Sequence, residues 1–222
     1  MRNSQTSYRP PAAARRRSRT TLLLAISAAL ARAAAGEDLP DATALTHARS
    51  VASTVCGTCH GPDGNSTQPK FPRLAGQSPA YLVAQLKAFR AQTRGDPDAI
   101  GYMWGMASQL DDESIDALGA YYATQRAAPP GGGDAPLIAR GREIYQHGIA
   151  SAGVPACSTC HGADAHGSAD FPRLAGQHAQ YVLKQLASFQ SNMRKVAIMH
   201  GVAQNLRVPE MRAVAAFLEA QP

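Results

Sequence analysis

The string Phe71-Pro72-Arg73-Leu74-Ala75-Gly76-Gln77 returns unchanged as Phe171-Pro172-Arg173-Leu174-Ala175-Gly176-Gln177. An identity of this length makes each half of the chain a unit that must fold on the same plan. The repeat runs further, with Tyr81, Gln85, Leu86 and Phe89 recurring as Tyr181, Gln185, Leu186 and Phe189. Between the halves lies Ala127-Ala128-Pro129-Pro130-Gly131-Gly132-Gly133-Asp134, which cannot continue a helix and reads as a linker. The expected organisation is a leader over residues 1–35, a first domain over 36–126, a linker over 127–135 and a second domain over 136–222.

Within each half the apolar spacing is helical, with almost no alternating runs that would make strands. Pro79 to Gln92 carries Tyr81, Leu82, Leu86 and Phe89 on one side, and its twin carries Tyr181, Val182, Leu186 and Phe189. Asp111 to Thr124 aligns Ile115, Leu118 and Tyr122, with Asp111, Asp112 and Glu113 suited to the positive helix start. The matching last helix should begin near Arg207, without an acidic cap but with Pro209 in its first turn. The fold class is therefore all-α.

Each half also holds one Cys-x-x-Cys-His: Cys56-Gly57-Thr58-Cys59-His60 and Cys157-Ser158-Thr159-Cys160-His161. Two thiols one helical turn apart can add to the two vinyl groups on one edge of a porphyrin, and the adjacent imidazole then reaches the iron. Zinc or a redox dithiol would account for the cysteines but would leave both histidines unexplained. The motif thus predicts two covalently bound haem c groups, attached through Cys56, Cys59, Cys157 and Cys160, with His60 and His161 as proximal iron ligands. All four cysteines are then used, and none remains for a structural disulfide.

The first 35 residues read as an export signal. Arg15, Arg16, Arg17 and Arg19 precede a short apolar stretch from Thr21 to Ala31, and Ala31-Arg32-Ala33 or Ala33-Ala34-Ala35 offers cleavage sites. The apolar stretch is shorter than the ~20 residues that span a bilayer, and the mature protein is expected to be soluble in the periplasm. This leader carries seven of the 22 Lys and Arg and none of the 16 Asp and Glu. The remainder is close to neutral, so the high pI belongs to the signal and gives no support to nucleic-acid binding.

The sixth iron position is read by aligning the halves ahead of the last helix. Met103-Trp104-Gly105-Met106 stands against Met199-His200-Gly201-Val202, so Met103 and Met199 correspond while Met106 has no twin. His200 competes with Met199, and a second imidazole would lower the potential where a thioether raises it. Met106, Met193 and Met211 read as gap-filling residues. His47, His147, His166 and His178 have no partners in the other half and read as solvated or structural.

The duplicated heptapeptide following each Cys-x-x-Cys-His-Gly resembles the cytochrome c4 family of di-haem class I cytochromes c over nearly all of residues 44–220. The resemblance implies two tandem class I cytochrome c domains, each a small helical bundle around one covalent haem, with close approach of the haem edges. It implies His60 with Met103 and His161 with Met199 as axial ligands, and Pro72 and Pro172 as carbonyl acceptors for the proximal rings. Arg73 and Arg173 are expected near haem propionates, with Trp104 as a similar donor in one half only.

The implied function is one-electron transfer with no small-molecule substrate and no catalysis. A quinol-oxidising complex or dehydrogenase would be the donor and a terminal oxidase the acceptor, with peripheral membrane association compatible with the role. The rival functions are the cytochrome subunit of a larger dehydrogenase, such as a flavocytochrome c sulfide dehydrogenase, and a di-haem peroxidase. Phe89 to Met103 is longer than Phe189 to Met199, while the second half has extra residues at Gln146 to Ala156. Unequal loops predict two distinguishable potentials.

Overall fold

The first half opens on α1 (Ala42–Val51), started by Asp41, whose carboxylate accepts from the Ala44 N–H at 2.7 Å. A π-helical turn over Ala52–Cys56 carries α1 without a break into α2 (Gly57–His60). The computed structural model describes residues 40–168 and 170–222, and the leader expected over residues 1–35 lies outside them. Downstream are α3 (Pro79–Arg90), a second π-helical turn (Ala99–Met103), α4 (Trp104–Ala107) and α5 (Asp112–Ala123). Ser78 caps α3 and Asp111 caps α5, each side chain accepting an N–H three residues on.

The second half repeats this order as α6 (Ala135–His147), α7 (Ser158–His161), α8 (Ala179–Gln190), α9 (Ala197–Ala203) and α10 (Val208–Glu219). Here the entry helix and the Cys-x-x-Cys-His turn are separate. α6 ends at Gly148, and a short 3₁₀ turn (Ala150–Ala152) closed by paired bonds between Ile149 and Val154 intervenes. α10 starts at Arg207, as the sequence predicts, but an acidic partner is present: Glu210 reaches back to accept the Arg207 N–H at 2.8 Å. Apart from two isolated bridges the described residues contain no strand, and none of their helices is long and apolar enough to cross a membrane.

In the second half α10 lies across α6 and α8. At the crossing a Cβ on Gly141 would collide with the Ala213 carbonyl oxygen and press on Phe217, so only glycine permits this approach. Ile144, Tyr145, Met211, Val214, Phe217 and Leu218 form the core around it. In the first half α5 packs on α1 and α3 through Ala48, Ala52, Leu82, Leu118 and Tyr122. Phe89, Ala99 and Ala107 make a separate cluster against Met103 and Trp104.

The repeated segments bring the halves together. Gln77 and Gln177 are both buried, and each grips the backbone of the opposite arginine. Gln77 accepts from Arg173 N–H at 2.8 Å and donates to Arg173 C=O at 2.9 Å, while Gln177 makes both bonds to Arg73 at 2.9 Å. Beside them Arg94 bonds Tyr181 and Gln185, and Arg194 bonds Tyr81 and Gln85. Each guanidinium also lies over the phenylalanine of its own half, Phe89 or Phe189, at 4.7 and 4.6 Å. The symmetry breaks at Asp96, a buried carboxylate 2.7 Å from Arg94 Nε whose counterpart is Val196.

Candidate haem sites

In each half the helical turn of the motif puts its two cysteines three residues apart on one face and its histidine just beyond. Gly61 (φ 78°) and Gly162 (φ 81°) then turn the chain sharply away, a conformation that costs little only without a side chain. His60 and His161 are buried. His60 Nδ1 donates to the Pro72 carbonyl at 2.8 Å and His161 Nδ1 to the Pro172 carbonyl at 3.1 Å. That bond fixes the tautomer and leaves Nε2 as the ligating nitrogen. Burial, only partly offset by these carbonyls, holds both imidazoles below the ordinary histidine range, so they are neutral and able to bind a metal. Phe71 and Phe171 meet the rings edge-on at 6.1 and 6.0 Å.

Burial pushes the Cys56 thiol up and the Cys157 thiol to about 11. A redox dithiol needs the opposite shift. No three His, Cys, Asp or Glu side chains converge among the described residues as a protein-held metal ion would require, so the two dithiols do not form one tetrathiolate.

One cavity of about 900 Å³ runs through both halves, and all four cysteines, His60, His161, Met103 and Met199 line it. Met103 ends the second π-helical turn, whereas Met199 sits in the ordinary helix α9. His200 does not line this cavity, and its Nδ1 donates to the Phe189 carbonyl at 2.8 Å. Met106 lies at the cavity's edge with 46% of its surface exposed, Met193 is equally exposed, and Met211 is buried in the second core.

Most of the wall is apolar, supplied by Leu82, Leu86 and Phe89 and by their twins Val182, Leu186 and Phe189. Two buried polar atoms on it, the Nε atoms of Arg173 and Arg194, lack a hydrogen-bond partner. Two unmatched guanidinium N–H groups on the wall of an apolar slot suit the carboxylates of a porphyrin. Arg73 lines the same cavity but gives Nη1 to the Gly176 carbonyl at 2.6 Å, so it also fastens the halves. The reading of Trp104 as a propionate donor is corrected, because its Nε1 donates to the Arg94 carbonyl at 2.8 Å.

The repeat identified neither the Arg94/Arg194 pair nor His178. His178 is buried between the halves, with Nε2 2.8 Å from the Ser66 carbonyl and Nδ1 3.3 Å from Glu219. His147 and His166 are exposed beside Glu143 and Asp164.

An all-helical pair of domains, each offering a dithiol and a buried neutral imidazole to an apolar slot, defines a tandem c-type haem protein. The Cytochrome c family matches residues 46–125 and 138–221, once over each half. Cytochrome c4 of Azotobacter vinelandii is 38% identical over 80% of this chain and 92% of its own length. The thiosulfate dehydrogenase electron acceptor of Thiomonas intermedia is 34% identical over 75% of this chain and 78% of its own length. The crystal structure of reduced recombinant cytochrome c4 from Pseudomonas stutzeri aligns with a TM-score of 0.72 and 32% identity, over 80% of this chain and 98% of that one. The chain belongs to the cytochrome c family, among the di-haem cytochromes c4. It carries two covalent haem c groups and is an electron-transfer protein.

Proposed function

We propose that this cytochrome is a periplasmic one-electron carrier whose irons are held by His60 with Met103 and by His161 with Met199, the haems being attached through Cys56, Cys59, Cys157 and Cys160. The observation that carries the ligand set is the shared cavity, onto which both methionines and both Pro-anchored histidines open, while the His200 ring is bound to Phe189 C=O. Bound haem supplies reversible one-electron chemistry; the chain keeps each imidazole neutral and oriented and shields it from water. The family matches at 46–125 and 138–221 support domains over 36–126 and 136–222, joined by a linker over 127–135. The linker is tied to the first half through Ala128 N–H, which donates to Asn65 at 2.7 Å, and to the second through Gly131 N–H, which donates to the Glu219 carbonyl.

A terminal oxidase is the proposed acceptor. For the donor, the relative named as a thiosulfate dehydrogenase electron acceptor favours a dehydrogenase of that kind. The ligand set is tested by counting, per haem, the thioether-to-iron charge-transfer band of the oxidised protein. His200→Gln leaves two bands and Met199→Ala leaves one; loss of a band in His200→Gln with none lost in Met199→Ala sinks the assignment. Reduction by thiosulfate with purified thiosulfate dehydrogenase, against a quinol-oxidising complex, tests the donor.

A further inference from the structure

We propose that Gln177 and Gln77 are positioning residues that tune the haem of the opposite half, each acting through the peptide unit that anchors that half's proximal imidazole. The inference rests on the ligand assignment above. The Pro72–Arg73 peptide is bonded at both ends. Its carbonyl accepts from His60 Nδ1 at 2.8 Å, and its N–H donates to Gln177 Oε1 at 2.9 Å. The Pro172–Arg173 peptide repeats this, with His161 on its carbonyl at 3.1 Å and Gln77 Oε1 on its N–H at 2.8 Å. Each imidazole is thus two hydrogen bonds from a side chain of the other half.

The amide orientation is determined by its surroundings. Gln177 Oε1 also accepts from the His178 N–H at 3.1 Å, and Gln77 Oε1 from the Ser78 N–H at 2.9 Å. Each Nε2 faces an arginine carbonyl. Flipping either amide would set its NH₂ against two N–H donors and its oxygen against a carbonyl, so the oxygen stays on the peptide N–H.

The sign follows from peptide resonance. An acceptor on the N–H draws charge onto the carbonyl oxygen, since the two share one delocalised unit. Hydrogen bonds in such a chain strengthen one another by ~10–30%, and the effect is largest where water is excluded. A stronger acceptor at Pro72 C=O makes His60 a more basic ligand. More basic ligation favours the oxidised iron and lowers the potential of the first haem, although Gln177 belongs to the second half.

The test is a redox titration of the holoprotein with each haem assigned by NMR. Gln177→Met removes the acceptor at similar volume and should shift the first haem's oxidised-to-reduced ratio about threefold toward reduced at fixed ambient potential, about 28 mV at 59 mV per tenfold for one electron. Gln77→Met should do the same to the second haem. Gln177→Glu keeps an acceptor on Arg73 N–H and should leave the first potential at or below the parent's. A merely structural role predicts that loosening the contact moves both haems together. The proposal is overturned if both potentials move equally, if each substitution acts on its own half, if neither shift reaches twofold, or if Gln177→Glu raises the first potential. Haem content and the parent's thioether bands are read on the same samples, so a missing band faults the ligand assignment and not the relay.

Discussion

Asp96→Asn tests how much the buried charge between the halves contributes. The carboxylate is 2% exposed, lies 2.7 Å from Arg94 Nε and also faces Gln185 Nε2. Burial acts to raise its pKa, but the Arg94 guanidinium, with Gln185 and Arg194 adding to it, holds it below the ordinary carboxylate range. Asparagine keeps the shape and removes the charge, leaving Arg94 buried beside Arg194 with no carboxylate from the described chain within reach of either. Removing one partner of a buried pair costs ~3–5 kcal/mol, and for a body of this size each kcal/mol lowers Tm by ~2–4 °C. The expected loss is about 3 kcal/mol and roughly 6–12 °C, because the amide still accepts from Arg94. The linkage has a definite sign. A carboxyl with a depressed folded-state pKa contributes stability above its unfolded value, near pH 4, that disappears as pH falls through the folded one. The parent should therefore lose stability on acidification below about pH 4 more steeply than Asp96→Asn. Thermal melts of holoprotein with two haems confirmed, run at pH 7 and across the acid range, measure both effects. A variant within about 0.5 kcal/mol of the parent with an unchanged acid profile would refute the reasoning.

Two smaller changes probe the second half. Gly141→Ala drives a methyl group into the Ala213 carbonyl where α6 and α10 cross, and urea unfolding should show a loss of ~1–3 kcal/mol. An unchanged midpoint would mean that the helices can part freely. Tyr145→Phe removes the hydroxyl that donates to the Gly162 carbonyl at 2.6 Å, just after the second motif, and should cost about 1 kcal/mol. A variant as stable as the parent would show that water or a neighbouring donor replaces this bond.

Most of the fold was legible because a duplicated chain reports its own internal logic. The helix start at Asp111 follows from acidic side chains that act within one turn, and the four cysteines and two histidines follow from spacing alone. Glu210 was legible too, three residues after Arg207, but an arginine at the cap position hid a box usually opened by Ser or Thr. The interface was not legible. Arg94 and Arg194 sit at matching positions, yet nothing local says that each reaches a tyrosine in the opposite half. Gln77 and Gln177 stood in view within the repeated heptapeptide, but their partners are a hundred residues away and are backbone atoms, which leave no mark on side-chain patterning. Trp104 was misread for a related reason: its donor is satisfied by a carbonyl ten residues back.

The shared cavity also bears on how the protein holds together. Leu82, Leu86, Phe89, Val182, Leu186 and Phe189 all face this space of about 900 Å³, and apolar side chains gain their burial energy only when water is kept from them. Polypeptide and pigment therefore contribute to one core, and the chain without its haems should unfold at a lower temperature than the holoprotein.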